Sequence, residues 1–77
     1  MLDWQDYIRR DPNILYGKPT VSGTRIPVDL ILEKLAYGES MEQLLQAYPR
    51  LTQEAIYACL FFAAEAVKNE VVYKLAS

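Results

Sequence analysis

Residues 23–52 read GTRIPVDLILEKLAYGESMEQLLQAYPRLT, and their spacing decides how this chain folds. From Pro27 onward the apolar residues recur at helical intervals. Val28, Ile31, Leu32, Leu35 and Ala36 fall at i, i+3, i+4, i+7 and i+8. Pro27 suits a first helical position, Asp29 is favourable in a first turn, and Gly38 is a C-terminal stop. Ser40-Met41-Glu42-Gln43 reads as a capping box. It opens a second helix with Met41, Leu44, Leu45 and Tyr48 on one face, and Pro49 closes it. Thr52 caps a third helix over QEAIYACLFFAAEAVKNE, residues 53–70. Helix, tight turn, helix, short loop, helix is the helix-turn-helix pattern.

Upstream, Asp3 can cap a short helix in which Trp4, Tyr7 and Ile8 share a face. Asp11-Pro12-Asn13 ends it, because the residue before proline avoids the helical region. Ile14-Leu15-Tyr16, Thr20-Val21 and Thr24-Arg25-Ile26 are short β-favouring runs separated by turn residues, which predicts a hairpin of small strands. Downstream, the tail VVYKLAS either continues the third helix or leaves it as a strand. The expectation is one mainly α domain over residues 1–77: an N-terminal helix and hairpin (1–26), a tri-helical core (27–68) and a tail (69–77).

The bulk numbers narrow the function classes. A chain of 77 residues makes a single small domain, yet 52% of it is hydrophobic, enough for a core with some left over for a partner. The net charge of −2 gives no global pull toward nucleic acid or membrane. No run approaches the ~20 apolar residues of a membrane span, and the N-terminus lacks a signal-peptide stretch. A soluble, cytoplasmic protein is expected. The single cysteine, Cys59, permits no intrachain disulfide, and without histidine there is no Cys/His metal cluster. The acids are spread over caps and solvent faces, and there is neither a histidine for proton transfer nor an activated nucleophile. Neither an enzyme nor a cofactor is expected.

GKPTVSGTRIPV, residues 17–28, is the stretch that most resembles a site. A phosphate-binding P-loop needs GxxxxGK[ST]; here Lys18 follows the first glycine, and Pro19 removes an amide that a phosphate would need. Backbone architecture explains the segment better: Gly17 and Gly23 supply turns, and Pro19 and Pro27 fix φ. Arg25 is the exception. It either pairs with an acid such as Asp29 or contacts a partner.

Asp11-Pro12, Gly17-Lys18-Pro19, Gly23-Thr24-Arg25-Ile26-Pro27-Val28, Gly38-Glu39-Ser40, Tyr48-Pro49 and Leu51-Thr52 together resemble the small bacterial domain-of-unknown-function family 433. The resemblance runs from about Tyr7 to Ala66, and GTRIPV with YPxLT at this distance is its most specific part. It implies a homeodomain-like helix-turn-helix fold with an N-terminal hairpin. It also implies the role of an antitoxin in a toxin–antitoxin pair, the toxin being a PIN-like nuclease.

The helix-turn-helix pattern raises DNA binding, and the charges resist it. Residues 1–28 carry four cations against three acids, and residues 29–77 carry four against seven. The helix that would read bases starts with Gln53 and Glu54 and has no lysine or arginine before Lys68. Contact with 6–10 phosphates needs a comparable number of cations, roughly the whole complement of this chain. Arg9, Arg10, Lys18, Arg25, Arg50 and Gln53 are the candidate DNA contacts. A dimer or a toxin complex would be needed to pool them.

The third helix is apolar all round from Ala55 to Ala64, where a monomeric surface helix should show one stripe of about 100°. Ile56, Leu60, Ala63, Ala64 and Val67 are expected to face the first two helices. Tyr57, Phe61 and Phe62 are expected on other faces, as a homodimer or partner surface; the alternative is that the two short helices and the hairpin wrap the third helix on most sides. Val71, Val72, Tyr73 and Leu75 of the tail either dock into a partner or fold back on the core. Cys59 is expected to be a small core residue. The chain is thus expected to act by binding, and the resemblance implies that the role is that of an antitoxin, with operator binding as a dimer or complex; a freestanding DNA-binding regulator and an oligomerisation or adaptor module are the alternatives.

Overall fold

The computed structural model describes residues 2–76, with side chains described for residues 2–70. Three helices and a two-stranded antiparallel sheet make up the fold: β1 (Ile8–Arg9), β2 (Thr20–Val21), α1 (Val28–Ala36), α2 (Met41–Ala47) and α3 (Gln53–Ala76).

The helix boundaries follow the chemistry of their ends. Pro27 sits just outside α1, at the N-cap with extended backbone, one position earlier than the sequence places it. At the other end Gly38, with φ +93°, lets the chain reverse. Its N–H donates to the Leu35 carbonyl (3.0 Å) and the Glu39 N–H to the Lys34 carbonyl (3.0 Å), a Schellman ending. The α2 capping box is complete. The Ser40 hydroxyl oxygen accepts from the Gln43 N–H (3.1 Å), and Gln43 Oε1 accepts from the Ser40 N–H (2.8 Å). Thr52 Oγ1 accepts from the Ala55 N–H (3.1 Å) at the start of α3. At its far end α3 runs through to Ala76, so the tail continues the helix rather than leaving it as a strand.

The N-terminal region differs from expectation. Asp3 does cap a helix, with its Oδ1 accepting from the Gln5 N–H (3.0 Å), but that helix is a single 3-10 turn, Trp4–Asp6. Asp11 then makes an Asx turn, its Oδ1 accepting from the Asn13 N–H (2.9 Å). The chain leaves that turn with positive φ at Leu15 (51°), Tyr16 (58°) and Gly17 (83°), so Ile14–Tyr16 cannot be the expected strand. Thr20–Val21 pairs instead with β1, Ile8 opposite Val21 and Arg9 opposite Thr20. Across the Ser22–Gly23 turn only one bridge forms, Thr20 with Pro27. Pro27 has no N–H to extend a ladder, and the Val21 carbonyl is taken by the Thr24 hydroxyl (2.8 Å).

The core is small and continuous. Val21, Val28, Ile31, Leu44, Leu51, Ala55, Ile56 and Cys59 form it, so β2, all three helices and the α2–α3 loop contribute. Full burial of a side chain such as Ile31, Leu44 or Ile56 is worth about 1.5–3 kcal/mol. Thr20 is buried too, its hydroxyl donating to the Arg9 carbonyl (3.4 Å) across the two strands. Among the described residues no helix is long and apolar enough to cross a membrane.

Candidate functional site

Two regions gather residues with binding chemistry. The first is α3. Its inward side carries Ala55, Ile56, Ala58 and Cys59, all buried, with Phe62 packed against the core. Advancing about 100° per residue, Tyr57, Leu60, Phe61 and Ala64 share an outward stripe, while Val67 lies about three turns along from Ile56 on that residue's own face. All five are exposed, with Tyr57 at 43%, Leu60 at 43%, Phe61 at 51% and Val67 at 56%. From Ala64 to Glu70 every side chain is exposed, so this part of the helix extends beyond the packed body.

This arrangement corrects the expected orientation of α3. Ile56 is buried as expected, but Leu60, Ala64 and Val67 are exposed rather than buried against α1 and α2. The small residues Ala55, Ala58 and Cys59 are buried instead, Ala55 and Cys59 within the core cluster. Cysteine and alanine are among the most frequently buried residue types, and that preference was the signal available in the sequence. Tyr57 and Phe61 are exposed as expected. Phe62 is not a free surface residue. Trp4 packs against it edge-to-face with ring centroids 5.4 Å apart, and the Arg10 guanidinium lies 5.7 Å from its centroid. The side chains of Val71, Val72, Tyr73 and Leu75 lie outside the described residues.

Cys59 is fully buried, and desolvation raises its thiol pKa to about 11. A thiol in that environment stays protonated near neutral pH and is a packing residue.

The second region is a groove lined by Arg9, Ile14, Gly23, Thr24, Arg25 and Arg50, with a volume of about 370 Å³. Next to it, sharing Thr24, Arg25 and Arg50, is a more apolar hollow of about 350 Å³ completed by Ile26, Ala47, Tyr48 and Pro49. β1, the Ser22–Ile26 loop and the α2–α3 loop thus bring three arginines to one concavity. Arg50 is steadied by donating from Nη1 to the Gly23 carbonyl (3.2 Å). The loop that carries Arg25 is held by the Val21 N–H donating to the Ile26 carbonyl (2.9 Å) and the Ile26 N–H donating to Thr24 Oγ1 (3.0 Å). Such internal bonding accords with reading GKPTVSGTRIPV as backbone architecture, with Gly17 and Gly23 at positive φ.

Of the six candidate DNA contacts, the structure gathers three. Lys18 is elsewhere, its Nζ 3.0 Å from Asp29 Oδ2. Arg10 lies over Phe62, and the Gln53 side chain donates to the Tyr57 hydroxyl oxygen (3.1 Å). The only other ion pair among the described residues joins Lys34 to Glu39 at 3.3 Å. Neither hollow is lined by an acid.

Residues 8–63 match the family model described as "Protein of unknown function (DUF433)". A protein of Sinorhizobium fredii (strain NBRC 101917 / NGR234) called "Uncharacterized protein y4eO" is 37% identical over 59 residues, covering 77% of this chain and 27% of that protein. This chain therefore spans little more than a quarter of that relative's length. The crystal structure of a DUF433 member protein from Anabaena variabilis ATCC 29413 is similar with a TM-score of 0.74 at 27% identity, covering 95% of this chain and 71% of that one.

Proposed function

The chain belongs to the DUF433 family of proteins of unknown function, and from that premise we propose that it works by holding another protein. In this reading it is the antitoxin-like half of a pair, masking a PIN-like nuclease toxin by direct contact. One observation carries the binding role: α3 is apolar on two opposite sides, and only one of them is used by the chain's own core. Tyr57 and Phe61 are the aromatic anchors that dominate protein interfaces, and burying each half-exposed side chain against a partner gains on the order of 1 kcal/mol. The nuclease character of the partner is taken from the resemblance carried by GTRIPV and YPRLT. A homodimer through the same face is part of the proposal.

We read α1, α2 and α3 as a homeodomain-like helix-turn-helix. The short Schellman-closed connection from α1 to the α2 capping box supports it. A second reading, a freestanding DNA-binding regulator, is favoured by Arg9, Arg25 and Arg50 lining one groove. Against it, the first turn of α3 carries Glu54 and no cation, where a recognition helix meets bases and phosphates.

Co-expression with the product of the adjacent gene, followed by co-purification and a toxicity assay, tests the proposal. A stable complex and relief of the neighbour's toxicity are expected. A lone chain that shifts DNA in a salt-dependent way would favour the second reading instead.

A further inference from the structure

The three arginines pose an electrostatic problem that the fold itself does not solve. The chain has 10 acids to 8 cations, and both ion pairs among its described residues use lysines. Arg9, Arg25 and Arg50 nevertheless line one concavity without an acid on its walls. Among the described residues, the side chains of Arg9 and Arg25 have no hydrogen-bond partner, and that of Arg50 has the Gly23 carbonyl alone. Like charges around a concavity focus a positive potential that attracts an anion.

We propose that this groove binds the phosphate ester of a nucleotide unit, with the sugar and base lying along the adjoining apolar shelf of Ile26, Tyr48 and Pro49. Guanidinium forks match phosphate oxygens bidentately, and arginine is the side chain of choice for such contacts. A phosphate monoester carries about −1.5 to −2 charges and three acceptor oxygens, so it engages more than one arginine, whereas a carboxylate brings one charge and two oxygens. The neighbouring hollow explains why the ligand is more than an inorganic anion. It shares Arg25 and Arg50 with the basic groove and continues into an apolar surface that holds an aromatic ring. Each hollow, at about 350 and 370 Å³, falls in the lower range of small-ligand sites. Nothing in this arrangement needs a duplex or a recognition helix. The proposal therefore stands apart from both the partner-binding and the regulator readings.

The test is a titration of the full chain, followed by calorimetry and by the arginine side-chain NMR signals, at fixed salt. The probes are thymidine 5′-monophosphate, thymidine, inorganic phosphate and an eight-residue oligothymidylate with or without a 5′-phosphate. Thymidine 5′-monophosphate is expected to bind at least about tenfold more tightly than either thymidine or inorganic phosphate. Arg9→Gln and Arg25→Gln are each expected to weaken it at least about tenfold while leaving thermal unfolding unchanged. These two variants avoid the loop-bracing bond of Arg50. Tighter binding of the 5′-phosphorylated oligonucleotide than of the mononucleotide would assign the phosphate to the end of a strand; the reverse would assign it to a free nucleotide. Mononucleotide binding no tighter than that of inorganic phosphate, or undiminished in Arg25→Gln, would overturn the proposal.

Discussion

Lys18 Nζ lies 3.0 Å from Asp29 Oδ2, and this pair takes the acid that the sequence offers to Arg25. It leaves Arg25 facing Arg9 and Arg50 across a groove, turning a candidate internal salt bridge into an unneutralised cation. Both partners of the pair are about half exposed, at 49% and 54%. Exposed pairs of this kind contribute between zero and about 1 kcal/mol. Asp29→Asn is therefore expected to lower unfolding free energy by less than about 1 kcal/mol in urea titrations. A larger loss would mean that the pair braces the β2–α1 junction more than its exposure indicates.

The two sides of α3 should respond oppositely to truncation. Ile56 is fully buried, so Ile56→Ala should cost about 2–5 kcal/mol through lost burial and a residual cavity. Total stability is of order 5–15 kcal/mol for a domain and falls toward the lower end at this size, so the variant should be largely destabilised. Phe61→Ser, on the outward side, should change stability by less than about 0.5 kcal/mol. Thermal unfolding of the two variants side by side checks both.

Burial of Cys59 makes stability depend on alkaline pH. Its folded pKa, about 11, stands above the reference value of 9.0. A thiol kept protonated by folding stabilises the fold fully below the unfolded pKa, and that stability is lost as pH rises through the folded value. The chain should thus lose on the order of 2 kcal/mol between pH 9 and 11 through this group. Cys59→Ala should remove that part of the slope. Denaturant titrations of both chains across this range measure the difference. In the native protein the thiol should also resist Ellman's reagent at neutral pH.

Backbone conformation gives a fourth expectation. Gly38 adopts φ +93°, where a side chain is strained, so Gly38→Ala should lower stability by about 1 kcal/mol. Tyr16 adopts φ +58° while fully exposed, and asparagine tolerates that region better than tyrosine. Tyr16→Asn should raise the melting temperature slightly. Two calorimetric scans would check the opposite signs.

The helices and their caps were legible in the sequence because their determinants are local. Ser40 with Gln43, Gly38, and Thr52 each act within one turn of chain, and each sits where the spacing put it. The strand pairing was not legible, because Thr20–Val21 selects Ile8–Arg9 across a long connection that no turn signature announces. Leu15 and Tyr16 look like strand residues by composition and adopt left-handed backbone instead. On α3 the difficulty was the absence of contrast. With apolar residues on every side, periodicity could not say which face turned inward, and Ala55, Ala58 and Cys59 are among the residues buried there. The arginine groove was legible only as a list of cations. Its assembly depends on three loops meeting and on Lys18 taking Asp29.

The most direct test of the binding account is light scattering on the chain co-expressed with the product of the adjacent gene, comparing wild type with Tyr57→Ser/Phe61→Ser. The account predicts a stable hetero-complex for wild type and separate species for the double variant, with its helical content unchanged by circular dichroism. A complex that forms equally well with both aromatic rings removed would contradict the assignment of α3's outward face, and no complex with the wild-type chain would contradict the antitoxin-like role itself.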